Sequence, residues 1–129
     1  MGLTLNEANR MVTAAIAKAK ELNIQMSIAV VDAGGHLLAF NRIEDSMWLA
    51  IHGAQGKAVA STSIGLPSGD IPADSPVIQG IFALAGAKMV AAQGAVPIHR
   101  DGVLIGAIGG GGGTGEEDEI CAKVGLAAL

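Results

Sequence analysis

Three side chains, Asp32, His36 and Lys57, are of the types that acid–base chemistry requires. Asp32 and His36 enclose the segment Ala-Gly-Gly in "VVDAGGHL". A carboxylate that orients an imidazole, with an ammonium group to stabilise an oxyanion, suits proton abstraction beside a carbonyl group. The three residues therefore form one candidate catalytic set. Asp32 is also the residue type that a tight turn favours, and this structural explanation stays open.

Glu116 and Glu119 form a candidate metal site. They lie three residues apart in a predicted helix, so they share one face of it. Carboxylate oxygens are hard ligands that suit iron or magnesium. Acids in the first turn of a helix also stabilise the helix dipole, so the pair has an alternative structural explanation.

Five consecutive glycines, residues 109–113, precede these acids. A phosphate-binding loop would need a lysine after the glycines, and none follows here. Four carboxylates at the start of the next helix would also repel an anion. The glycines are therefore predicted to serve a steric purpose, because residues without a Cβ permit close contact with another backbone or with a flat ligand.

Apolar spacing predicts helices that alternate with short strands. Thr4 and Glu7 predict a capping box at the start of the first helix, and Thr114 and Glu117 predict another at the start of the last. Asp45 or Ser46 is the predicted cap of the second helix. The predicted helices span residues 5–22, 44–63, 77–86 and 116–129. The last is expected to bury a stripe of three residues, namely Ile120, Val124 and Ala127.

Strand patterns predict hairpins. Residues 27–32 and 36–41 are joined by a turn, and His36, Leu38 and Phe40 are expected to share one face of the second strand. A strand in 88–93 is predicted to precede two more, in 95–100 and 103–110, joined by "RDG". Hairpins with flanking helices indicate an α+β fold with an antiparallel sheet.

The composition limits the classes of function. The chain has 129 residues with a formal net charge of −4 and no block of Lys or Arg, which argues against nucleic-acid binding. The single Cys121 excludes an internal disulfide. No signal peptide or membrane span is evident. We expect one domain over residues 1–129, in the cytoplasm and without a membrane partner.

Several motifs together resemble the HbpS/GlcG-like family, which includes haem-binding proteins and the C-terminal domain of PduO-type cobalamin adenosyltransferases. The segments are "VVDAGGHL", "GAVPIHRDGVLIGAIG" and "GGTGEEDEICA". The resemblance runs along the whole chain. It implies a five-stranded antiparallel sheet flanked by helices, assembled as a homo-oligomer.

The resemblance also implies a small-molecule ligand, with haem or a corrinoid as the candidate. Haem iron needs an axial donor, and His36 and His52 are the candidate donors. Arg42 and Lys57 are candidates for the propionates, and Gly111 and Gly112 for close contact with the ligand. Some family members use acidic pairs for iron, which is consistent with Glu116 and Glu119. Two alternatives stay open: an enzyme acting on a small hydroxy- or oxo-acid, and a structural oligomerisation module.

Overall fold

The computed structural model describes residues 1–129 and contains four strands and four helices. The strands are β1 (Ser27–Asp32), β2 (Leu37–Arg42), β3 (Ala95–Arg100) and β4 (Val103–Gly111). The helices are α1 (Leu5–Glu21), α2 (Leu49–Ile64), α3 (Pro76–Leu84) and α4 (Gly115–Leu126). A single 3₁₀ turn covers Ser68–Asp70.

The sheet has four antiparallel strands in the order β2-β1-β4-β3, so the prediction of five strands was wrong. The missing strand is the one expected in residues 88–93. The backbone of that segment pairs with a helix instead, since the Val90 N–H donates to the Gly56 carbonyl at 3.0 Å. The other predicted strands are confirmed within one residue. Asp101 and Gly102 have positive φ, as a two-residue hairpin turn requires.

One face of the sheet holds the main hydrophobic core, beneath α1 and α4. Its cluster of 16 buried residues includes Met11, Ile28, Val30, Ile98 and Ile108. Leu38 and Ala39 both pack against this cluster, because the β1–β2 register shifts between Val30 and Val31. The strict alternation predicted for His36, Leu38 and Phe40 therefore fails in β2.

The second face of the sheet is covered by α2, and two glycines of β4 set the distance between this helix and the sheet. A Cβ added to Gly109 would lie 2.6 Å from the Ala54 carbonyl oxygen, and one added to Gly111 would lie 2.5 Å from that of Ala50. The glycine run therefore brings the α2 backbone close to the sheet. This agrees with the steric explanation and identifies the neighbouring backbone as a helix of the same chain.

Both predicted capping boxes are present. The Thr4 hydroxyl accepts from the Glu7 N–H at 3.1 Å, and the Thr114 hydroxyl accepts from the Glu117 N–H at 3.2 Å. Helix α2 begins later than predicted, after Trp48, and has no side-chain cap. The backbone of Asp45 has a positive φ, in the left-handed region, so Asp45 is not part of a right-handed helix.

The buried side of α4 is not the predicted one. Ile120, Val124 and Ala127 are all exposed, whereas Cys121, Ala122 and Gly125 are buried. These small residues face α1, and a Cβ on Gly125 would lie 2.8 Å from the Met11 carbonyl oxygen. Close approach of two helices thus decides which side of α4 is buried.

None of the four helices combines the length and the apolar character needed to cross a bilayer.

Candidate functional site

Asp32 and His36 form a contact pair at the β1–β2 turn, as the sequence predicts. Asp32 Oδ1 accepts from the N–H of Gly34 and of His36 at 2.9 Å each, and it lies 3.1 Å from His36 Nδ1. A Cβ at Gly34 would lie 2.8 Å from the imidazole Cε1, so the ring position depends on a glycine there. A proton on Nδ1 leaves Nε2 as the nitrogen that accepts a proton or binds a metal.

The electrostatics of the Asp32–His36 pair favour an ionised carboxylate. Partial burial raises the pKa of Asp32, but the hydrogen bonds from the His36 and Gly34 N–H groups outweigh it and hold that pKa below its usual value. The imidazole itself is 81% exposed. Asp32, but not His36, lines a cavity of about 550 Å³ together with Arg100.

Lys57 lies in a buried ion pair and not beside Asp32. Its Nζ donates to Asp118 Oδ2 at 2.8 Å and to the Gln93 carbonyl at 3.3 Å. Asp32 pairs with Gly106 of β4, whereas Lys57 shares a cavity with Gly111. The two glycines are five positions apart in β4, which is about 17 Å along the strand. The three predicted catalytic residues therefore do not form one site.

Asp118 completes the buried pair from the first turn of α4. Its side chain is 4% exposed, and its Oδ1 accepts from the Gly113 N–H at 2.9 Å. Burial raises the pKa of Asp118 above its usual value, although Lys57 and the Gly113 N–H both oppose that shift. The sequence analysis overlooked this residue. Asp118 precedes Cys121, Ala122 and Gly125 by three, four and seven residues, so it shares a helix face with them. That spacing was the available signal in the sequence.

Two cavities lie on different sides of α2. The first, of about 230 Å³, brings together three residues predicted to contact a ligand: Lys57, Gly111 and Gly112. The second, of about 450 Å³, contains His52. We call the second the His52 cleft. It lies between α2, the β1–β2 turn and residues 87–90, and six of its lining residues are Gly35, Leu37, His52, Val59, Lys88 and Val90.

The His52 cleft combines an imidazole, an ammonium group and apolar walls. The exposed Trp48 ring lies 5.8 Å from the His52 ring in a T-shaped arrangement, at an interplanar angle of 88°. The bond from the Val90 N–H to the Gly56 carbonyl holds the outer wall against α2. Trp48 was not singled out from the sequence, although it lies one helical turn before His52.

The remaining predicted site residues lie outside both cavities. Arg42 donates through Nη1 to the Ser46 carbonyl at 3.2 Å. Glu119 pairs with Lys123 at 3.1 Å, and Glu116 is exposed. No group of three or more His, Cys, Asp or Glu residues is placed to hold a metal ion. The metal role of Glu116 and Glu119 stays a prediction without a third protein ligand.

Cys121 is buried and free. Burial raises the pKa of its thiol to about 11, which keeps it protonated near neutral pH. An inert thiol agrees with the sequence interpretation.

The motifs and the fold point to one family. A family model described as "Haem degrading protein HbpS-like" matches residues 3–127. The chain belongs to the HbpS-like family. Among its relatives, protein GlcG of Escherichia coli K12 is 34% identical over 108 residues, covering 83% of this chain and 79% of GlcG. An uncharacterised 15.0 kDa protein of Citrobacter freundii, from the dhaT-dhaS intergenic region, is 30% identical over 130 residues, covering 96% and 89%.

Solved structures of HbpS-like proteins share the fold. The crystal structure of a PduOC–haem complex matches with a TM-score of 0.90 at 25% identity, covering 100% of this chain and 96% of that one. The similarity extends over every element that lines the two cavities beside α2.

Proposed function

We propose that this HbpS-like chain binds haem, in the His52 cleft. Two observations support the proposal: the similarity to a protein solved with haem, and the presence in one cleft of the groups that haem requires. The observation that carries it is an exposed imidazole beside apolar side chains, with an ammonium group in the same cleft.

The groups of the cleft fit the parts of a haem. His52 offers an axial nitrogen, as haem iron commonly requires. Leu37, Val59 and Val90 offer apolar surface for the macrocycle, and Lys88 offers a cation for a propionate. Haem would supply iron redox chemistry, whereas the protein supplies the binding surface and the donor. His36 follows Gly35 of the same cleft and is the second candidate donor.

A haemin titration tests this proposal. We expect a saturable Soret shift. We expect His52→Ala to weaken haemin binding by about tenfold or more, because mutating even the hydrogen-bond partner of a metal-ligating histidine lowers metal affinity by about that factor. His99→Ala is the matched control, because His99 is exposed on β3 and lines neither cavity beside α2. His36→Ala is measured in parallel.

The titration separates the two histidines. Loss of the Soret shift in His36→Ala alone would move the donor to the hairpin turn. An unchanged shift and affinity in both His36→Ala and His52→Ala would contradict both ligand assignments. A broad, non-saturating change in the unmodified chain would contradict haem binding itself.

We also propose that the chain self-associates through α3. This helix has no buried residue and no charged residue, and Val77, Ile81 and Leu84 are each more than half exposed. An uncharged apolar helix surface favours an equally apolar partner, and a second copy of the chain offers one.

One domain over residues 1–129 and a cytoplasmic location remain our expectations.

Light scattering after size-exclusion chromatography tests the α3 proposal. We expect Ile81→Glu to shift the oligomer towards the monomer, because a carboxylate would be desolvated at the contact. Val103→Glu is the control, since Val103 is comparably exposed at the β3–β4 turn. A monomeric parent chain, or equal assembly of the parent and the Ile81 variant, would contradict the proposal.

A further inference from the structure

The indole ring of Trp48 lies in solvent beside the His52 cleft. Trp48 is the only tryptophan of the chain, and it is 71% exposed. A single exposed apolar residue is ordinary on a protein surface. Trp48 differs because its ring lies edge-to-face against His52, the candidate donor to iron, and because an indole offers a large apolar area to a ligand.

Helix geometry places Trp48 in line with the wall of the His52 cleft. Trp48 has helical backbone angles, with φ −64° and ψ −24°, directly before α2 begins. His52, Gln55 and Val59 follow it by four, seven and eleven residues, a spacing that puts all four on one side of the helix. The last three line the cleft. The indole ring therefore extends the wall of the cleft by about one helical turn.

The orientation of the two rings suits a flat ligand. The centroids of the Trp48 and His52 rings are 5.8 Å apart, and the ring planes are at 88° to each other. An imidazole binds a metal in its own plane, so a macrocycle around that metal is perpendicular to the imidazole. The indole is perpendicular to the same imidazole. It can therefore lie parallel to the macrocycle, in the offset-stacked arrangement that aromatic rings favour.

Trp48 and His52 are suited to different parts of a tetrapyrrole. The imidazole nitrogen binds iron, and a metal-free ring offers it no such partner. The indole contacts the ring system by dispersion and by removing apolar area from water, and neither contribution requires a metal. Leu37 and Val59 add apolar surface in the same cleft. These contacts are therefore expected to hold the macrocycle in the absence of iron.

We propose that Trp48 stacks on the macrocycle, and that the site consequently accepts flat tetrapyrroles with or without a metal. This proposal rests on haem binding in the His52 cleft and extends it to a class of ligands. His52 favours the form that carries iron, whereas Trp48 and the apolar wall select a flat aromatic ring. Trp48 is thus a residue that determines specificity for the macrocycle.

Parallel titrations of the intact chain with haemin and with metal-free protoporphyrin IX test this proposal. Trp48 is the only tryptophan, so its fluorescence reports a nearby ligand, and we expect saturable quenching by both compounds. We expect Trp48→Ala to weaken the binding of both by about tenfold, because losing one stacked aromatic side chain has an effect of that size. Trp48→Phe keeps an aromatic ring and should retain most of the affinity. Ligand absorbance measures binding in the variants that lack tryptophan.

Met47→Ala and His52→Ala separate stacking from other effects. Met47 is 61% exposed, but it precedes Trp48 by one residue and lines the cavity on the other side of α2, so its loss should change neither affinity. His52→Ala should weaken the binding of haemin and leave that of protoporphyrin IX unchanged. Urea unfolding of each variant checks that the fold is retained, as the exposure of Trp48 leads us to expect.

Two results would overturn the proposal. One is a Trp48→Ala variant that binds metal-free protoporphyrin IX as tightly as the parent chain does. The other is a parent chain that gives a saturable Soret shift with haemin but no saturable binding of protoporphyrin IX, in which case haem binding would stand without the wider class of ligands. A parent chain that binds neither compound would contradict both proposals.

Discussion

Replacing Asp118 by alanine is expected to lower the free energy of unfolding by about 3–5 kcal/mol, because it leaves the buried Lys57 ammonium without its counter-charge. Both side chains are less than a tenth exposed, so the ammonium that remains is poorly solvated. The substitution also removes the acceptor for the Gly113 N–H at the start of α4. Urea denaturation of the parent chain and the variant measures the change.

A double substitution distinguishes the cost of an unpaired charge from loss of packing. Lys57→Met with Asp118→Leu removes both charges, and we expect it to recover most of the lost stability, because apolar pairs commonly replace buried ion pairs at little cost. Lys123→Ala is the surface control. It breaks the exposed pair with Glu119, and we expect a change of about 1 kcal/mol or less. Equal losses in Asp118→Ala and Lys123→Ala would show that the buried pair does not stabilise the fold.

The elements set by local interactions were predictable from the sequence. The capping boxes at Thr4 and Thr114 each need partners three residues apart, and the turn at Asp101 and Gly102 needs only two residues. The fifth strand failed for the opposite reason. The β-like pattern of residues 88–93 cannot show that the segment contacts a helix remote in sequence. In the structure, the Val90 N–H donates to the Gly56 carbonyl of α2.

The candidate site divides in the same way. Asp32 and His36 are four residues apart, and a turn brings them together. Lys57 and Asp118 are 61 residues apart, and their contact depends on α2 and α4 meeting at the same end of β4. Before the fold is known, Asp118 is one of several acids that suit a helix N-terminus. Only the tertiary arrangement separates it from Glu116 and Glu119.

The second large expected effect on stability comes from substituting a glycine of β4. Gly109→Ala is expected to destabilise the protein by about 3 kcal/mol, the upper end of the usual range for overpacking. The new Cβ would lie 2.6 Å from the Ala54 carbonyl oxygen and 3.1 Å from the Ala58 nitrogen. Both atoms belong to the backbone of α2, so no side-chain rotation relieves the overlap. The helix must move away from the sheet, and the contact of Ala58 with Val31 and Ala107 would loosen.

Gly53→Ala is the matched control for Gly109→Ala, because it adds the same methyl group on α2 itself. Nothing lies within 4 Å of a Cβ at Gly53. We therefore expect it to leave stability unchanged or to raise it by up to about 1 kcal/mol, the helix propensity gained over glycine. Urea midpoints at constant m-value compare the two variants. If Gly109→Ala were as stable as Gly53→Ala, the glycine run could not be what sets the distance between α2 and the sheet. Its purpose would then have to be sought in a ligand, and the cavity that Lys57, Gly111 and Gly112 line would be the first place to look.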